Sequence, residues 1–132
     1  MGSQRDDLIY KEECYKIVGV LIEVFKQLGS GYQEKYYQKA IAKEFALQGY
    51  KFFEQVHIPL DYKGEKIGSY FVDFVVKVND TEIPIEIKRD KNFSQARINQ
   101  LSDYLKALNL KLGILANFTR EGVKFKRIVN LI

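Results

Sequence analysis

Asp73, Glu86 and Lys88 are the residues whose types and spacing could do chemistry together; they lie in the stretch Tyr70–Lys88, YFVDFVVKVNDTEIPIEIK. Asn79-Asp80 has the composition of a two-residue hairpin turn. Pairing outward from that turn sets Val78 against Thr81, Val76 against Ile83, Phe74 against Ile85 and Asp73 against Glu86. Opposed residues share one face of a sheet, and period two brings Lys88 to the same face. Counted from the turn, Asp73 and Glu86 fall in a non-hydrogen-bonded pair, with Cβ atoms about 4.5–5.5 Å apart. Two ionised carboxylates at that range repel by roughly 3 kcal/mol at an effective dielectric near 20. Either one of them keeps a proton or a cation sits between them, and a divalent metal is the reading this pair favours.

The flanking segments must position that ribbon. From about Asp6 to Leu28, the residues Ile17, Leu21, Val24 and Leu28 recur at helical spacing, widened by Val18, Ile22 and Phe25. Gly29-Ser30-Gly31 ends this helix, and Ser30 with Gln33 has the capping-box pattern for a second helix reaching Gln48. On that helix Glu34 shares the buried face with Tyr37, Ile41 and Phe45. An acid in a first turn suits the helix dipole, but a carboxylate on a packing face needs a partner. Lys51–Asp61 reads as a strand, with Pro59 marking it as an edge or a bent strand. A turn at Lys63-Gly64 feeds the strand Ile67–Val78, and the third strand carries Pro84 as a local irregularity. Ser94 is a candidate N-cap for a helix over Gln95–Leu108 with core residues Ile98, Leu101, Leu105 and Leu108. Lys111–Phe118 is a nearly continuous apolar run, the pattern of a buried parallel strand, and Val123–Val129 reads as a last strand. A strand, a helix and a second apolar strand imply a crossover parallel to the third strand.

Composition narrows the classes of function. The 132 residues, 46% of them hydrophobic, fit a single domain over 1–132 with a real core. One cysteine, Cys14, rules out an internal disulfide, and with His57 the only histidine there is no zinc cluster to build. No secretory signal opens the chain, and its longest apolar stretch, near Ile17–Ile22, is too short to span a bilayer. A cytoplasmic protein without a membrane role is the expectation. Position six is Asp6, which argues against N-myristoylation of Gly2. With no nucleophile motif, His57 reads as a strand residue with ordinary polar contacts. The net charge of +4 leans mildly towards polyanions.

Gly31-Tyr32-Gln33-Glu34-Lys35-Tyr36-Tyr37 spells G-x-x-E-x-x-Y, and from about Asp6 to Asn130 the chain resembles the small bacterial and archaeal proteins of the GxxExxY family, placed in the PD-(D/E)XK nuclease superfamily. Asp73 matches the superfamily aspartate, Glu86-Ile87-Lys88 its E-x-K, and Glu34 the helical acid before the sheet. Gln100-Leu101-Ser102-Asp103-Tyr104 matches the Q-x-x-x-Y of the branch that includes recombination exonucleases. Val72 stands where the superfamily's eponymous proline would be.

The resemblance implies an α/β, restriction-endonuclease-like αβββαβ core, with a mixed central sheet flanked by helices. It also implies metal-dependent hydrolysis of phosphodiester bonds in nucleic acid, DNA first. Asp73 and Glu86 would hold Mg²⁺ or Mn²⁺, hard cations that prefer oxygen, with the Ile87 carbonyl and Glu34 completing the set. Lys88 would orient the attacking water or stabilise charge on phosphorus. Gln100 would fix Lys88, a metal water or a phosphate, and Tyr104 would pack on a sugar or base. Arg89, Lys91 and Arg97 would contact the phosphate backbone. A homodimer or a partner protein would supply specificity that so small a chain has no room for. Two other readings fit the same residues. One is a nucleic-acid- or partner-binding domain that keeps the fold without turnover. The other is structural: Glu86–Lys88 and Asp73–Lys88 as solvated cross-strand ion pairs, worth under about 1 kcal/mol each.

Overall fold

The computed structural model describes residues 9–130. Its element order is α1 (Lys11–Leu28), α2 (Glu34–Leu47), β1 (Lys51–Tyr62), β2 (Glu65–Val78), β3 (Thr81–Lys88), α3 (Gln95–Leu108), β4 (Leu112–Thr119) and β5 (Gly122–Val129). The strands form one sheet in the order β1-β2-β3-β4-β5; only β3 and β4 run parallel. This is the mixed α/β sheet that the sequence implies. β1 is an edge strand, as Pro59 suggests.

Two apolar layers hold the sheet between helices. One gathers Ile17, Leu21 and Val24 of α1 and Tyr37, Ile41 and Phe45 of α2 onto Phe74, Val76, Ile83, Ile85 and the even-numbered residues of β4. The other places Leu101, Tyr104 and Leu105 of α3 over Val72, Val75, Leu115 and Ile128. Every residue of β4 is buried, so its run of apolar side chains serves both layers. Gly113 allows α3 a close approach: a Cβ there would lie 3.1 Å from a methyl of Leu101.

The β2–β3 hairpin has the register expected from its turn, with Val78 opposite Thr81, Val76 opposite Ile83 and Phe74 opposite Ile85. Asn79 and Asp80 both take positive φ, 51° and 63°, as a turn matched to strand twist requires. Pro84 falls opposite Val75, a position whose N–H would face away from β2, and the parallel ladder to β4 starts only at Ile85. Its missing donor therefore leaves no partner stranded.

Two helix starts differ from expectation. Asp6–Leu8 lie outside the described residues, and α1 begins at Lys11 with Tyr10 at φ 51°. The Ser30–Gln33 capping box does not form; α2 starts at Glu34 with no side-chain cap. Tyr37 organises that loop instead. Its hydroxyl donates to the Gly29 carbonyl at 2.6 Å and accepts from the Tyr32 N–H at 3.4 Å, while its ring lies 4.4 Å from that of Phe118. Gly31, at φ 97°, supplies the left-handed step that turns the chain towards α2. Ser94 does cap α3, accepting from the Arg97 N–H at 3.1 Å.

Candidate active site

The hairpin brings Asp73 and Glu86 together, but the strands part where they meet. Backbone pairing of β2 with β3 stops at Phe74–Ile85. Beyond it each carboxylate bonds the opposite strand: the Asp73 N–H donates to Glu86 Oε1 at 3.1 Å, and the Ile87 N–H donates to Asp73 Oδ2 at 2.7 Å. The acids thus fill a gap between two strands rather than standing side by side on an intact ribbon. In an extended strand the N–H and C=O of one residue point the same way, so the Ile87 carbonyl also faces β2.

The gap has a cause on the neighbouring strand. β1 pairs with β2 through Glu54–Phe74 and again from Val56–Val72, but Gln55 and Asp73 between them do not pair. Gln55 sits at φ 51°, a left-handed conformation that costs a side-chain-bearing residue roughly 1–2 kcal/mol. Without its ladder partner, the Asp73 amide is available to Glu86. The alternation of β2 also slips here: Phe74 and Val76 join the α1–α2 layer, while Val72 and Val75 both join the α3 layer. The Gln55 side chain lies close enough to the Asp73 carboxyl to favour its ionised form. Gln55 has no glycine or proline signal, and sequence reasoning missed it.

Burial decides the electrostatics. Asp73 is 4% and Glu86 7% exposed. Desolvation first, and the Asp73 charge second, push the Glu86 carboxyl up to about 7. Burial also raises Asp73, against the lowering effect of the Ile87 N–H and of Lys88. This contradicts the reading of solvated cross-strand pairs. Among the described residues, Lys88 makes no ion pair with either acid; its Nζ lies 3.9 Å from Glu34 Oε1.

Glu34 arrives from the first turn of α2, on the face that carries Tyr37, Ile41 and Phe45. Its other oxygen accepts from the Arg89 N–H at 3.2 Å. The three acids therefore do not close into one cage, and among the described residues no group of three acids, histidines or cysteines could hold a metal. Glu34 stands off from the carboxylate pair, near enough for its charge to raise Asp73. The donor set still fits a hard cation, because Mg²⁺ commonly takes one or two carboxylates and keeps several waters. Asp73, Glu86 and the Ile87 carbonyl are all oxygen donors, and the pair carries more negative charge than its buried surroundings neutralise.

Other expected site residues are dispersed. Arg97, partly buried on α3, is close enough for its charge to stabilise ionised Glu86. Gln100 lines a cleft with Arg97, Tyr70 and Asp103 and has no hydrogen bond to Lys88. Arg89 and Lys91 line a different cleft, beyond the end of β3. Tyr104 cannot receive a base or sugar as placed: it is 1% exposed within the α3 layer, and burial pushes its hydroxyl up to about 12. Packing on Val75 and Leu115 outweighs any surface role for it. His57 is an exposed strand residue with its ring 5.4 Å from Phe71. Asn117, not singled out in the sequence, is 3% exposed beside Lys88 in the parallel ladder, and its amide nitrogen has no partner. Its signal would have been a lone polar side chain near the end of an otherwise apolar strand.

Comparison with known proteins gives a family and a fold. A family model described as the PD-(D/E)XK nuclease superfamily matches residues 11–128. The crystal structure of SSO0001 superposes with a TM-score of 0.53 at 20% identity, over 95% of this chain and 62% of that one. The chain thus spans about 62% of that structure's length, and the likeness is one of fold. No curated protein matches the chain.

Proposed function

From the premise that the chain belongs to the PD-(D/E)XK nuclease superfamily, we propose that it is a divalent-metal-dependent nuclease acting on DNA, within the GxxExxY group. One observation carries this reading: two buried carboxylates are each locked against a backbone N–H of the opposite strand, Glu86 on Asp73 and Asp73 on Ile87, with no cation among the described residues paired to either. Asp73, Glu86 and the Ile87 carbonyl would hold Mg²⁺ or Mn²⁺, with Glu34 contributing through a water. Such an ion lowers the pKa of the attacking water and neutralises charge on the scissile phosphate. The Ile87 N–H keeps Asp73 turned towards the site, and the Gln55 side chain favours its ionised form. Glu34 fixes Lys88 beside the pair, where its ammonium group orients water or meets charge developing on phosphorus. Arg97 and Gln100 border the site from α3. Arg89 and Lys91 meet backbone phosphates, which gives affinity without sequence choice. Residues 1–132 are taken as one domain, and a second copy or a partner protein would provide selectivity.

A non-catalytic nucleic-acid-binding domain is the second reading. It is favoured by the engagement of Glu34 with Lys88 and Arg89 rather than with the carboxylate pair. Cleavage of plasmid and single-stranded DNA in Mg²⁺ or Mn²⁺ separates the two. The wild type is expected to cut, with activity falling at least about a hundredfold in Lys88→Ala, the scale of losing one charge-stabilising donor. Cleavage that survives Lys88→Ala contradicts the site, and binding without cleavage by the wild type establishes the second reading.

A further inference from the structure

Beyond the end of β3 the chain encloses a cleft of about 700 Å³ that the carboxylate site does not use. Arg89 and Lys91 line it from the loop after β3, Arg120 from the β4–β5 turn, and Lys124 from β5. These four cations face one carboxylate, Glu121, and none of them forms an ion pair with a described residue. Cations drawn together from separate segments into a concave surface, four against one carboxylate, raise the local concentration of anions. The cleft opens one residue past Lys88, and the same Arg89 that lines it is tied through its backbone N–H to Glu34. An anionic chain lying in the cleft therefore leads towards the carboxylates.

An exposed aromatic side chain directly follows two lining residues, Ser30 and Gly31. Gly31 lines the cleft, and the next residue, Tyr32, is 44% exposed. Its ring is held edge-on, 6.5 Å from Tyr36 and 6.0 Å from buried Tyr37, which is itself braced on Phe118 in the cleft wall. A half-exposed aromatic ring, packed on its neighbours, beside a cationic track is the combination that binds unpaired nucleotides without reading their sequence. A duplex keeps its bases in its own stack and would leave Tyr32 nothing to stack on.

We propose that this cleft takes the sugar–phosphate backbone of a single-stranded segment of nucleic acid, with Tyr32 as its stacking platform, and delivers that strand to the carboxylate site. The proposal rests on the hydrolytic reading only for what happens at the end of the track. Binding of a labelled deoxythymidine oligomer and of a duplex of equal length, followed by fluorescence anisotropy in EDTA over a range of salt, tests it without turnover. The oligomer is expected to bind more tightly than the duplex. The Arg120→Ala/Lys124→Ala double variant should lower the slope of log K against log salt by about 1.4, two single-strand phosphate contacts' worth. Tyr32→Ala should weaken binding by about tenfold with the slope unchanged, and Tyr32→Phe should bind as the wild type does. An unchanged slope in the double variant, or preference for the duplex with Tyr32→Ala neutral, overturns the proposal. Cleft-dependent binding by a protein that never cleaves would overturn the nuclease reading and leave the cleft in place.

Discussion

Glu86 is poised between two protonation states. Its folded value of about 7 lies above the ordinary 4.5, so between those values the folded protein holds a proton that the unfolded chain has released. The metal-free protein should therefore lose stability as pH rises from about 4.5 through 7, and Asp73, also raised by burial, adds to the loss with the same sign. Glu86→Gln keeps an acceptor for the Asp73 N–H and removes the charge. Its thermal midpoint should be flatter than that of the wild type across this window; a wild-type midpoint that climbs with pH there contradicts the assignment. Gln55 offers a second test at the same scale. Glycine accepts positive φ without strain, so Gln55→Gly removes about 1 kcal/mol of backbone cost together with the side chain that favours ionised Asp73. The metal-free midpoint should not fall, while Mn²⁺ affinity measured by calorimetry should. A midpoint that drops with no change in affinity would make Gln55 a purely structural residue.

Among the elements, those with local signals were legible in the sequence. The hairpin register followed from β-branched residues flanking Asn79-Asp80, α3 from Ser94 ahead of a 3.6-residue stripe, and β4 from a continuous apolar run. Asp73, Glu86, Lys88 and Glu34 could be placed near one another on that basis. The slip at Gln55 and Asp73 could not, because it depends on a left-handed step by a residue with no propensity for one. Counting by twos from the turn puts Val72 with Phe74, and the structure puts it on the other face. Ser30 failed as a cap because the side chain that orders the loop, Tyr37, comes from the following helix. Tyr104 was misread because a helical stripe does not say how wide its buried face is. The fit of α3 onto β4 is testable at Gly113. A methyl group there meets Leu101 at 3.1–3.2 Å, and Leu101 is 1% exposed with nowhere to retreat. Gly113→Ala should destabilise the protein by about 1–3 kcal/mol in urea unfolding. A neutral result would mean that α3 rides loosely on the sheet.

At the scale of the whole molecule, charge is sorted by position. The net +4 is modest, yet cations without described partners gather where β3, β4 and β5 meet solvent, and the buried acids lie nearby, Glu86 close to the end of β3 and Asp73 within β2. No helix of the described residues is long and apolar enough to cross a membrane. The sheet, the Gln55 step and the two helix layers together hold a repulsive carboxylate pair in place, which weakens the empty protein and readies it for a cation. The most direct test is a thermal melt at pH 7.5 with and without Mn²⁺, run in parallel on wild type and Asp73→Asn. With Mn²⁺ at a hundredfold excess over its dissociation constant, the wild-type midpoint should rise by roughly 8 °C and that of the variant should not move. No shift in the wild type at millimolar Mn²⁺, or an equal shift in Asp73→Asn, would contradict a metal site at this pair.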